Sequence, residues 1–122
     1  MTTFTNEALL PTTVYGTPSG NYDGSSTTFV GNAIPAANYY GGQGSAQTAM
    51  IQTTGFVGEL RIEATLNDWV QQADWFLVET YGSNSTPTTD TQALNMLGNF
   101  VWLRARVVDF TAGTINSANV IF

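Results

Sequence analysis

The chain has 122 residues, enough to bury one core, and no cysteine or histidine, which excludes disulfides, Cys- or His-ligated metals and the usual general base. Three arginines against nine carboxylates leave a formal charge of −6, so a nucleic acid or an anionic membrane is a poor partner. Thr, Asn, Ser and Gln account for 42 residues; such short uncharged side chains lose little rotamer entropy when covered, which suits a packed assembly as well as a free enzyme.

The first residues, MTTFTNEALLPTTV, lack the basic and apolar regions of a signal peptide. No apolar run is long enough to cross a bilayer, so synthesis in the cytoplasm is expected. Residues 1–47 are rich in Gly, Asn, Ser, Thr and Tyr, with turn signals in TPSGNYDGSS and NYYGGQGS. Short strands are predicted near 9–15 and 27–30. This third reads as a loop-rich arm or docking region, and deleting residues 1–40 is expected to leave a folded core.

Residues 48–122 carry the regular pattern of that core. QTAMIQTT (47–54) reads as its first strand. In GELRIEATL (58–66), Leu60, Ile62, Ala64 and Leu66 alternate with Glu59, Arg61, Glu63 and Thr65, giving a strand with one dry and one wet face. A turn over 67–73 leads to DWFLVETY (74–81), with Phe76 and Val78 as the inward pair. SNSTPTTDTQ (83–92) reads as a loop, and TQALNML (91–97) is the one helix candidate. In FVWLRARVVDF (100–110) the inward positions are Val101, Leu103, Ala105 and Val107, and the outward ones Trp102, Arg104, Arg106 and Val108. TAGT (111–114) reads as a hairpin with Gly113 in the left-handed position, returning into a last strand, INSANVIF (115–122). β-branched and aromatic enrichment with frequent turns predicts an all-β fold: an antiparallel β-sandwich, jelly-roll-like, with a loop-rich N-terminal third.

Two of the three cations stand two residues apart in one strand, beside Trp102. If that strand pairs with 58–66, Arg104 and Arg106 lie opposite carboxylates on the face of Glu59, Arg61 and Glu63, and guanidinium–indole stacking on Trp102 becomes available. An exposed ladder of this kind is worth roughly 0–1 kcal/mol per pair; the alternative is a face covered by a partner subunit.

Other chemistries fit poorly. Glu59 and Glu63 share a strand face about 13 Å apart, too far for a glycosidase pair. Asp68 and Asp74, beside Trp69 and Trp75, flank a turn where short polar residues serve the backbone. No nucleophile elbow is present, and no enzyme is expected. Asp23, Asp68, Asp74, Asp90 and Asp109 lie near turns without any calcium-loop spacing, so no metal and no cofactor is expected. A glycan platform could draw on Trp69, Trp75, Trp102, Tyr39 and Tyr40, although aromatics in strands usually serve packing.

The blocks GFVGELRIEATL (55–66), DWFLVETYG (74–82) and GNFVWLRARVVDFTAGTI (98–115) resemble a pattern of small virion structural proteins of tailed bacteriophages, especially cyanophages. The resemblance covers roughly 48–122. It implies a non-enzymatic virion component that coats or extends a particle. With the acidic charge, the amide-rich surface and the Gly/Asn/Tyr-rich first third, the expectation is a capsid decoration or cement protein on the outer surface of the major capsid lattice, forming a homo-oligomer, with a trimer favoured. A tail, neck or fibre component, with a glycan-binding role at the host surface, is the alternative. The subunit or partner contact would then comprise Trp102, Arg104, Arg106, Arg61, Glu59 and Glu63, with Tyr39 and Tyr40 from the first third.

Overall fold

The computed structural model describes residues 6–39, 45–67, 69 and 74–122. Their strands, in chain order, are β1 (Asn6–Leu10), β2 (Thr13–Val14), β3 (Phe29–Val30), β4 (Ile34–Pro35), β5 (Ala46–Thr65), β6 (Phe76–Tyr81), β7 (Thr88–Leu97) and β8 (Trp102–Ile121). The fold is all-β and every pairing is antiparallel, as the residue pattern predicts. All eight strands belong to one hydrogen-bonded sheet.

Its spine is a pair of 20-residue strands, β5 and β8, matched from Thr48↔Ile121 to Thr65↔Trp102. The free side of β8 takes β1, β2, β3 and β4 in succession. The free side of β5 takes β7 along its first half and β6 along its second. The expected breaks at 55–57 and at TAGT are therefore not chain reversals. QTAMIQTT and GELRIEATL are two parts of one strand, and the predicted hairpin at Gly113 is the middle of β8.

The register slips between Thr54 and Glu59, and there the backbone takes positive φ at Gly55 (61°), Gly58 (149°), Asp109 (57°) and Gly113 (90°). Bulges of this kind bend a strand pair without ending it. A Cβ on Gly113 would run into the Gly55 carbonyl, so glycine is needed for close approach of the two backbones rather than for a turn. The bulge also changes which alternate residues of β5 are buried. Gln47, Ala49, Ile51 and Thr53 are buried before it, and Phe56, Leu60, Ile62 and Ala64 after it. Both halves of the sheet thereby turn their apolar side to one shared cluster. The sheet doubles back far enough for the Ala37 N–H, beyond β4, to donate to Gln47 Oε1 at the start of β5 (3.2 Å). Phe110 sits at the fold, with ring centroids of Tyr22, Phe29, Tyr15 and Phe56 within 6 Å of its own.

Several further expectations are corrected. TQALNML is not helical: it pairs with β5 residue for residue, burying Leu94 and Met96 at the two-residue period of a strand. The loop before it ends at Pro87. Val78 packs against the core, but Phe76 is 42% exposed, touching only its margin through Phe100. Leu66 lies past the end of β5 and is exposed. The described part of the first third is not an arm laid outside a core. Leu9, Leu10, Tyr22, Phe29, Ile34 and Ala36 belong to the buried cluster, and β1 to β4 satisfy the edge of β8. Deleting residues 1–40 would strip that edge and open the core, so a folded remainder is no longer the expected result.

Candidate functional site

The alternation that buries Leu103, Ala105 and Val107 points Trp102, Arg104 and Arg106 outward, and the alternation in β5 does the same for Glu59, Arg61 and Glu63. Antiparallel pairing then sets Glu63 opposite Arg104, Arg61 opposite Arg106 and Glu59 opposite Val108. Six of the eight sequence-predicted residues thus share one face. Tyr39 joins them through an edge-to-face contact with Trp102, centroids 4.8 Å apart. Tyr40 lies outside the described residues.

The ladder is only half of what the sequence suggests. Arg104 Nε donates to Glu63 Oε1 at 2.7 Å, and the pair is well shielded, with side chains 25% and 13% exposed. The Arg104 guanidinium also lies 4.3 Å from the centre of the Trp75 ring. Trp75, not the expected Trp102, is its stacking partner. Arg106 does not face a carboxylate, because the register gives it Arg61 as its neighbour. Like charges directly opposed are unfavourable. Arg61 turns along its own strand to Glu59 instead (3.0 Å), in a more exposed pair. Arg106 is left with its Nε buried and, among the described residues, without a hydrogen-bond partner.

Trp75 was missed because its approach to Arg104 depends on a register shift between Ile62 and Glu63 that no spacing rule announces. The glycan platform is dispersed in the same way. Trp75 lies against Arg104 and Trp102 against Tyr39, whereas Trp69 stands 72% exposed, with Leu66 and Leu77 also exposed.

A second polar arrangement had no sequence signal. Tyr81 Oη donates to Asp90 Oδ1 (2.5 Å) and lies 2.7 Å from Thr53 Oγ1, whose single proton goes either to it or to the Thr88 carbonyl (3.0 Å). Burial, then the hydrogen bond to the Asp90 carboxylate, pushes the Tyr81 hydroxyl up to about 12. Asp23 is a turn cap: its carboxylate accepts from the Ser25 and Ser26 N–H groups (2.9 and 2.7 Å), and these backbone bonds hold it down at about 2. Among the described residues, no group of three or more acidic side chains is placed to hold a metal ion.

The charged face holds a fixed ion pair, a guanidinium against the Trp75 ring and one cation, Arg106, that faces no carboxylate among the described residues. Comparison with family models, with curated proteins and with solved structures gives no match for this chain.

Proposed function

We propose that the chain is a non-enzymatic structural protein of a tailed-phage virion, a capsid decoration or cement protein lying on the outer surface of the major capsid lattice. In this reading copies associate as trimers, and the outer face of residues 58–65 and 102–108 is the contact. The observation that carries the proposal is the composition of that face. Every arginine of a −6 chain is gathered there, with Trp75, Trp102 and Tyr39 around it. Interfaces favour arginine and aromatic anchors, which join large contact area to directional bonding. The resemblance of residues 48–122 to phage virion proteins points the same way, as does a surface rich in hydroxyl and amide groups.

Quantitative mass spectrometry of the virions is the test. A copy number close to that of the major capsid protein is the expected result. A few copies per particle would place the chain in the tail, neck or a fibre, the second reading, which the exposed Trp69 favours as a ring on which a sugar could stack. Absence from the particle would end both readings.

A further inference from the structure

Among the described residues three outer strands of five or more residues, β1, β6 and β7, edge the sheet, and they are not protected alike. The β1 edge carries Glu7, a register shift between Ala8 and Leu10, and Pro11 directly after it. The β6 edge is six residues long, carries Glu79 and pairs through another register shift. Charges, prolines and bulges are the usual devices that keep an edge from pairing with a foreign strand. β7 has neither bulge nor proline over residues 90–97: its register runs unbroken from Thr53↔Asp90 to Ala46↔Leu97. It holds no lysine, arginine, glycine or proline, and its one charge, Asp90, is already engaged by the Tyr81 hydroxyl. Leu97, at its end, is 80% exposed.

The direction of the free backbone groups follows from one bond. The Gly98 N–H donates to the Ser45 carbonyl (2.8 Å), directly across the ladder, so residues 96, 94, 92 and 90 bond to β5. Thr91, Ala93, Asn95 and Leu97 therefore aim their N–H and C=O groups away from the sheet. Among the described residues β7 pairs with β5 alone.

We infer that this edge pairs with the same edge of a second copy, antiparallel about a two-fold axis at Ala93. Like groups must oppose like in an antiparallel ladder, so Ala93 meets Ala93 and Thr91 meets Asn95, giving about six main-chain hydrogen bonds. The smallest side chain of the strand lies on the axis. The two Asp90 carboxylates then stand six residues apart, about 20 Å along the strands. Charge selects a second copy's β7 over its other edges. Copies carrying −6 repel, and pairing with the β1 or β6 edge would bring Glu7 or Glu79 to the strand that holds Asp90. The inference is independent of any particle: it is an isologous contact on a different part of the sheet from the charged face.

Sedimentation of the full chain over a range of concentrations tests it, alongside Ala93→Lys and Ala93→Pro. The wild type should associate in twos, and both variants should weaken that step by roughly tenfold or more while circular dichroism stays unchanged. Proline is tolerated there because the N–H it removes points outward; if that variant unfolds, the lysine variant carries the comparison. The chain has no cysteine, so Ala93→Cys gives a clean cross-link. It should oxidise to a disulfide dimer roughly tenfold faster than Asn95→Cys, whose neighbour across the axis is Thr91. A wild type that stays single or associates only in threes, variants that associate undiminished, or equal cross-linking rates would each overturn the inference.

Discussion

The first half of the long strand pair, residues 46–54 with 114–121, and the second, 58–65 with 102–108, bury similar inner faces but present opposite outer ones. In the first half the outer rows are Thr48, Met50 and Gln52 opposite Ile121, Asn119 and Ser117, and the bonds are between hydroxyls and amides: Thr48 with Asn95 and Asn116 with Thr54, both at 2.9 Å. In the second they are Glu59, Arg61 and Glu63 opposite Val108, Arg106 and Arg104. Backbone pairing and inner packing are indifferent to this contrast, because alternation isolates one face of a strand from the other. Stability can therefore reside in the shared core and the bend, leaving each outer face free to specialise. The neutral half combines an unguarded edge with little charge, and the charged half collects every cation.

The bend joining the halves is where that contrast can be broken outright. Phe110→Ala removes a fully buried ring from the contact of Tyr22, Phe29 and Phe56, and should cost about 3–5 kcal/mol in denaturant unfolding. Both halves should then lose protection together in hydrogen exchange; loss confined to one half would show that each holds its own core. Gly113→Ala and Gly55→Ala sharpen the point. Both positions have positive φ, but a Cβ at 113 meets the backbone of 55 and 56, whereas at 55 it meets open space. The first should cost about 3 kcal/mol and the second about 1, the ordinary penalty of the left-handed conformation.

The bend also explains what could be read from residue types. Alternation within 58–66 and 100–108 placed Leu60, Ile62, Leu103, Ala105 and Val107 inward and all three arginines outward, since period two depends only on local backbone geometry. Gly113 was legible as positive φ but not as bulge rather than hairpin: both require the same residue, and the partner strand decides between them, while the positive φ of Gly55 and Gly58 had no sequence signal. The same limit divided the site. The common face of Arg104, Arg106 and Glu63 follows from parity. The pairing of Arg106 with Arg61 instead of a carboxylate depends on register, which slips at residues 54–59. The short strand expected near 27–30 is found at Phe29–Val30, but Ile34–Pro35 carried no signal, because two residues have no period and only the edge of β8 makes them a strand.

A smaller effect is expected where a polar link crosses between the halves. Tyr81, in the charged half, reaches Thr53 and Asp90 in the neutral one. Tyr81→Phe should cost about 2 kcal/mol, since one of the lost bonds is to a carboxylate. The hydroxyl also titrates differently in the two states, at an ordinary value near 10 when unfolded and at about 12 when folded. Because folding favours the protonated form, its contribution is complete below pH 10 and fades as pH rises through 12. Stability should fall over that interval in the wild type and more shallowly in Tyr81→Phe, measured by denaturation at matched ionic strength.

The smallest expected effects separate the two ion pairs of the charged face. Arg104→Ala removes a shielded pair with Glu63 and the contact with Trp75, and should cost about 1–1.5 kcal/mol. Arg61→Ala breaks a more exposed, same-strand pair and at the same time removes the charge facing Arg106. Those two consequences have opposite sign, so the net change should be under about 0.5 kcal/mol. In the Arg61→Ala, Arg106→Ala double mutant the costs should be non-additive, with Arg106→Ala more damaging once Arg61 is gone, because the remaining arginine is then relieved of its neighbour. Simple additivity would mean that the two guanidinium groups do not sense each other across the strands. Arg106 would then be a cation with no local opposition, and its missing carboxylate would owe nothing to strain on this face.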